Sequence, residues 1–349
     1  LRGRDLVSLP PVLVNALKPY QSKLTQQTLA LAIRQGNSKA TSQAVKIVGD
    51  ANAPLSERLT YIRLFGEISE PACVPQLLAI VESNQSSAAL RQDALQALQR
   101  YDQREIGQRV VKAYPDKLRA DPGVRLAALS LFASRPLWAM DLLNAIDRKR
   151  QPGEDFIAHS INKEDVPDQI VMQLTALNDP DVSAIAARLW PAARTASGEE
   201  KARLFARASQ ALNGAAGNPD AGKSVFMNTC GSCHRLFDRG GTLGPDLSGY
   251  DRRNVSDLLS NIVDPGAYIR EGYATYGITT VDGRTLSGII EGKSGESLSL
   301  KLLSGDVITL PESEIREMRA QPSMMPERLL NNLSDQQICD LFAYLTKGS

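Results

Sequence analysis

Five consecutive residues, Cys230-Gly231-Ser232-Cys233-His234, constrain this chain more than any other feature. Two thiols three residues apart, followed at once by an imidazole, form the attachment signature for c-type haem. On a short helical turn both thiols can add to the vinyl groups of one porphyrin, and the adjacent imidazole falls beneath the iron as proximal ligand. For an electron carrier, the rest of the chain is expected to supply a sixth iron ligand.

At 349 residues the chain is long enough for two domains or more. Its 42% hydrophobic and 23% charged residues are ordinary for a globular protein, and no apolar run approaches the length of a bilayer span. The net charge of +1 is divided unevenly: residues 220–349 carry 13 Lys/Arg against 17 Asp/Glu, a balance of −4, and the remainder carries +5. Neither figure provides the concentrated basic face of a nucleic-acid binder. Four cysteines do not make a disulfide framework at this length. With Cys230 and Cys233 engaged by haem, Cys73 and Cys339 are expected to be small buried hydrophobes. The opening Leu1-Arg2-Gly3-Arg4 has neither an initiator Met nor an apolar signal region, so the chain is expected to be a mature form or a piece of something longer. Covalent haem attachment takes place outside the cytoplasm, which sets the expected location as periplasm or cell envelope.

The first two hundred residues repeat. Thr25, Arg58, Arg91 and Arg125 open segments spaced by 33, 33 and 34 residues. Leu29, Ile62, Leu95 and Leu129 follow four residues on, and Ala32, Phe65, Leu98 and Phe132 seven residues on, which is an apolar stripe at helical spacing. A second helix follows each one, and paired helices at this period indicate an α-solenoid. Asp121-Pro122-Gly123-Val124-Arg125 looks like a HEAT-repeat opening, with a looser echo at Asp179-Pro180-Asp181-Val182. An insertion around Arg148–Val166 breaks the register and contains His159, read as a surface histidine with a distant iron ligand as the alternative. No catalytic constellation occurs in this stretch. The expected architecture is mainly α: a HEAT-like solenoid over 1–195, a helix and linker over 196–219, and a haem domain over 220–349.

Within the last part, Asp220 can cap a helix through Gly222 and Phe226, and Ser334-Asp335-Gln336-Gln337 reads as a capping box opening a final helix. Between them lie strand signals at Tyr273–Val281, Thr285–Glu291, Ser297–Leu303 and Asp306–Leu310, with turns at Asp282-Gly283, Ser294-Gly295 and Ser304-Gly305. They predict a small antiparallel meander over about 273–311, which could shield the haem edge, form a docking surface or serve as structural support.

Residues 220–349 resemble a class I-like cytochrome c domain. That resemblance implies crossed first and last helices, with Gly222 and Phe226 against Leu341 and Tyr344. It implies that the carbonyl of Pro245, in Gly240-Gly241-Thr242-Leu243-Gly244-Pro245, accepts a hydrogen bond from His234. It also places the sixth ligand at a methionine before a proline, which favours Met325 over Met324 in Ser323-Met324-Met325-Pro326; Met227 and Met318 are read as packing residues. Together, CxxCH, LGPDLSGY, IVDPGAYI, the TVDGRTLSGII hairpin and SMMP before the last helix resemble the PVC-type haem-binding domain family. Such domains often follow HEAT repeats at the end of large dehydrogenases. The family implies one covalently held haem c, an extracytoplasmic setting, a fused or partner dehydrogenase as electron donor, and a downstream acceptor. It makes the chain an electron-transfer domain or subunit of an oxidoreductase rather than a stand-alone catalyst.

Two other readings are set beside this one. A peroxidase-type enzyme would need a displaceable sixth ligand and a distal acid–base residue. A zinc or thiol-redox module would use Cys230, Cys233 and His234 without haem, but only one such knuckle is present and no βαβ setting surrounds it. Propionate partners are to be sought among Arg239, Arg252, Arg253, Arg270 and Tyr273.

Overall fold

The computed structural model describes Val12, Asn15 and residues 26–147, 161–191 and 196–347. Thr25, His159 and most of the register-breaking insertion lie outside these residues. Among the described residues, ten α-helices make up the first region: α1 (Gln26–Arg34), α2 (Ser38–Gly49), α3 (Leu55–Glu67), α4 (Val74–Glu82), α5 (Ala88–Leu98), α6 (Arg104–Ala113), α7 (Pro122–Phe132), α8 (Pro136–Ile146), α9 (Asp168–Ala176) and α10 (Pro180–Leu189). Arg58, Arg91 and Arg125 each fall at the fourth residue of α3, α5 and α7.

Local chemistry explains where these helices start. The Asp121 carboxylate accepts from the N–H groups of Gly123 and Val124, both at 2.9 Å, with Pro122 occupying the first helical position. Asp179 repeats the arrangement on α10, accepting from Asp181 and Val182 at 3.0 Å. An acidic cap followed by proline satisfies orphan donors while presetting helical backbone, so both Asp-Pro motifs mark helix starts.

The stripe residues Leu29, Ala32, Ile62, Phe65, Leu95, Leu98, Leu129 and Phe132 are all at most 1% exposed. Helices α1, α3, α5 and α7 pack in succession in one layer, and α2, α4, α6, α8 and α10 in a second. Trp138, Tyr61 and Tyr114 are the largest side chains sealed between them. Cys73 is buried there too, its thiol 3.1 Å from the Tyr101 hydroxyl. No described helix is by itself long and apolar enough to cross a membrane.

The chain continues through α11 (Gly198–Gly214), α12 (Pro219–Thr229), α13 (Val255–Val263) and α14 (Asp335–Thr346). Helix α11 packs on α13 and α14, and its Ala208 shares a core with Phe226, Leu259 and Leu341. Asn218, not Asp220, caps α12: its side-chain oxygen accepts from the N–H groups of Asp220 and Ala221. Pro219 fills the first helical position, which leaves Asp220 in the first turn, favourably placed against the helix dipole. The capping box at Ser334 and Gln337 is formed.

Helices α12 and α14 cross closely. A Cβ on Gly222 would lie 1.8 Å from Asp340 O, so only glycine permits the approach. One turn on, the rings of Phe226 and Tyr344 meet at 5.5 Å.

A two-residue ribbon, β1 (Arg235–Leu236) with β2 (Arg239–Gly240), follows α12. Between α13 and α14 stand β3 (Thr275–Thr280), β4 (Thr285–Ser294), β5 (Ser297–Leu302), β6 (Val307–Pro311) and β7 (Ile315–Ala320). They form one antiparallel sheet in the order β6-β5-β4-β3-β7. Gly283, Gly295 and Gly305 adopt positive φ at its turns.

The sequence signals stop at β6. Strand β7 carries no alternation because every residue after Ile315 is exposed, and Arg316, Glu317 and Arg319 lie along this open edge, where charge discourages further strand pairing. The meander lies between α13 and α14 in the sequence yet packs on the helical region: Ile289 and Leu303 join the helical core, and the Thr285 N–H donates to Ser134 O at 2.8 Å.

Candidate haem site

Helix α12 ends at Thr229 and the chain makes one further turn. The N–H groups of Cys230 and Gly231 both reach Phe226 O at 2.8 Å, and those of Cys233 and His234 reach Cys230 O at 3.1 and 2.9 Å. Cys230 and Cys233 are free thiols on this turn. Burial, with a smaller contribution from Cys233, pushes the Cys230 thiol up to about 12 and keeps it protonated.

The loop from Gly240 to Pro245 folds back beneath the turn. Gly241 N–H donates to Gly231 O and Gly244 N–H to Cys233 O, each at 2.8 Å. A Cβ at Gly244 would lie 2.7 Å from His234 Cε1, so the absence of a side chain lets the loop lie flat against the ring. His234 Nδ1 is 3.0 Å from Pro245 O. A carbonyl can only accept, so Nδ1 carries the proton and donates. Nε2 keeps a free lone pair. Burial is the larger influence on this ring and holds its pKa below the usual histidine value against the Pro245 contact, so the imidazole stays neutral.

Thus Cys230, Cys233, His234 and Pro245 are brought together by two segments that clasp one another. Met324 and Met325 belong to a different loop, which runs from β7 to α14. There the Met325 N–H donates to Ser323 Oγ at 3.2 Å. Met324 packs against the large helical core. Met325 lines a cavity of about 660 Å³ that is also lined by Val171 and Met172 of α9, Ala186 of α10 and Trp190. Downstream, Glu327 pairs with Lys201 at 2.8 Å and Arg328 with Glu200 at 3.1 Å, so α11 holds the exit of this loop.

Residues 219–349 match the family model for cytochrome c. No curated protein matches the chain. The C-terminal part is therefore a c-type cytochrome domain, a haem-binding electron carrier, and the matched span starts at α12 and includes the meander. The residues present fit a covalently bound haem c. Two free thiols share a turn, a neutral imidazole has one nitrogen engaged and one available, and a glycine-lined loop closes under that imidazole.

Among the suggested propionate partners, Arg252 is corrected. It is buried, and its Nη1 donates to Leu345 O at 3.1 Å and Lys347 O at 3.0 Å while its guanidinium lies over the Phe237 ring. It closes the C-terminus of α14, where carbonyls lack helical partners. Arg239, Arg253 and Arg270 are exposed, Arg270 over the Tyr250 ring. Sequence reasoning missed Lys301 of β5, whose Nζ donates to Thr242 O at 2.8 Å inside the loop beneath His234. Only the alternation of β5 hinted at it, and nothing in that pattern names the partner.

Proposed function

We propose that this chain is a one-electron carrier in which Cys230 and Cys233 would tether one haem c by thioether bonds, with His234 and Met325 as the residues that would hold its iron. The observation that carries the reading is the hydrogen bond from His234 Nδ1 to Pro245 O at 3.0 Å, made on the turn that presents both thiols. When bound, the haem supplies a one-electron iron couple. His234 offers Nε2 as ligand, and Pro245 O fixes the ring orientation and raises its basicity through Nδ1. A Met325 thioether on the iron would favour the reduced state and raise the potential. Gly244 keeps the loop in contact with the ring, and the neutral state of His234 keeps its donor nitrogen available.

The setting we propose is periplasmic or cell-envelope, with electrons arriving from a fused or partner dehydrogenase and leaving to a downstream acceptor. The layered helices α1–α10 support a HEAT-like solenoid acting as docking scaffold, and the likeness to PVC-type domains supports this placement beside a dehydrogenase. Met325→Ala tests the ligand assignment. It is expected to abolish the weak sulfur–iron absorption band at the red edge of the visible spectrum and to lower the potential. Loss of the band in Met324→Ala, with Met325→Ala unaffected, transfers the role to the neighbouring residue.

A further inference from the structure

The meander touches the loop beneath His234, leads into the loop that carries Met325, and is fastened to the helical region at its other end. On the proximal side, Lys301 is 16% exposed at its side chain, donates to Thr242 O at 2.8 Å and pairs with Glu291 of β4 at 3.4 Å. Thr242 lies between Gly241 and Gly244, the two residues whose N–H groups tie the loop to the attachment turn. On the distal side, β7 leads directly into the methionine loop: Gln321 N–H donates to Thr275 O at 2.9 Å, and Met325 follows four residues later.

The fastening lies at the opposite end of β3 and β7. Arg100, in the turn that follows α5, forks onto Glu314, with Nη2 2.7 Å from Oε1, and lies 3.6 Å from Asp282. Arg135 Nη1 donates to Asp282 O at 2.6 Å, and Arg284 lies 3.0 Å from the Asp282 carboxylate and 3.6 Å from Glu314. Arg135 and Arg284 are 4% and 5% exposed. Displacing the sheet from α5, α7 or α8 would strand buried guanidinium groups, which is strongly unfavourable.

We propose that the meander is a frame through which the helical region fixes axial ligation in the haem domain, with Lys301 positioning the proximal loop and the Arg100–Glu314 pair positioning the distal one. This rests on the reading of His234 and Met325 as iron ligands. Beyond an irregularity at Thr279–Thr280, β7 is paired with β3 from Glu317 to Ala320, which is the path by which restraint at Glu314 would reach Gln321 and the loop beyond it.

Holoprotein made in a cytochrome-maturing host provides the test. Added imidazole binds the ferric protein only when Met325 yields its place. In Arg100→Met its affinity is expected to rise about tenfold, a fraction of what breaking a buried charge pair costs. Arg100→Lys keeps the charge but loses the fork, and is expected to fall between the two; it also serves if the first variant does not fold. Lys301→Met is expected to speed solvent exchange of the His234 Nδ1 proton about tenfold by NMR, as expected for a local opening, with imidazole affinity close to that of the parent. A parent that shows the sulfur–iron band, with variants that match it in both measurements, overturns the frame while leaving the ligand assignment intact. A haem-loaded parent without the band overturns the assignment, and the distal arm of the frame with it.

Discussion

The helical region and the cytochrome domain bury their residues in different ways. In α1–α8, stability comes from a repeated stripe of apolar side chains, and one position predicts the next a helix-pair later. In the cytochrome domain, the small core around Phe226, Leu341 and Tyr344 is built once, and the candidate site stands on loops held by a few hydrogen bonds between separate segments. The first region tolerates loss of a contact as a scaffold does, by a quantity of stability. In the second, loss of one contact is expected to act on the candidate site more than on stability.

The largest effect expected follows from that contrast. Replacing Cys230 and Cys233 together by Ala removes covalent haem and destabilises the cytochrome domain, while α1–α8 keep their helical signal. Calorimetry of the two forms checks this, and a common loss of both regions would erase the distinction. Phe65→Ala is the converse: it opens a cavity in the helical core and costs about 3–5 kcal/mol, with the haem spectrum unchanged. Denaturant titration followed by far-UV signal and by haem absorbance separates the two readouts.

A pH-dependent term belongs to the helical region. Burial holds the Asp141 carboxyl up at about 6, only partly offset by Arg104. Its folded pKa exceeds its unfolded one, so the folded state binds the extra proton between them. The contribution is therefore most favourable below the unfolded value and is lost as pH rises through about 6. Asp141→Asn removes this slope and is expected to gain roughly 1–2 kcal/mol at pH 7. Urea unfolding at pH 5 and pH 7 measures it; an unchanged pH dependence would show that Asp141 does not titrate in this range. The smallest effect is Asp121→Ala, which removes the cap of α7 and costs about 1 kcal/mol in the same assay.

What the sequence revealed divides along the same line. The stripe through Ile62, Leu95 and Leu129 is legible because a 3.6-residue period is a property of one helix. The attachment turn is legible because its two thiols and imidazole fall within five consecutive residues. The Asp-Pro helix starts are legible because cap and first turn are neighbours. Strand β7 is not, since an exposed charged edge carries no alternation. Nor is the cap of α12, because Asn218 and Asp220 both suit the position and the placement of Pro219 decides between them. The contacts of Lys301 with Thr242, and of Arg100 with Glu314, join residues 59 and 214 positions apart, and no local pattern encodes such pairings.

The mass of the mature protein from a cytochrome-maturing host tests the central claim most directly. The account predicts one haem above the polypeptide mass, retained under denaturing conditions and recovered on the peptide spanning Cys230 to His234. A polypeptide of unmodified mass, with both thiols of that peptide free to alkylate, would contradict it.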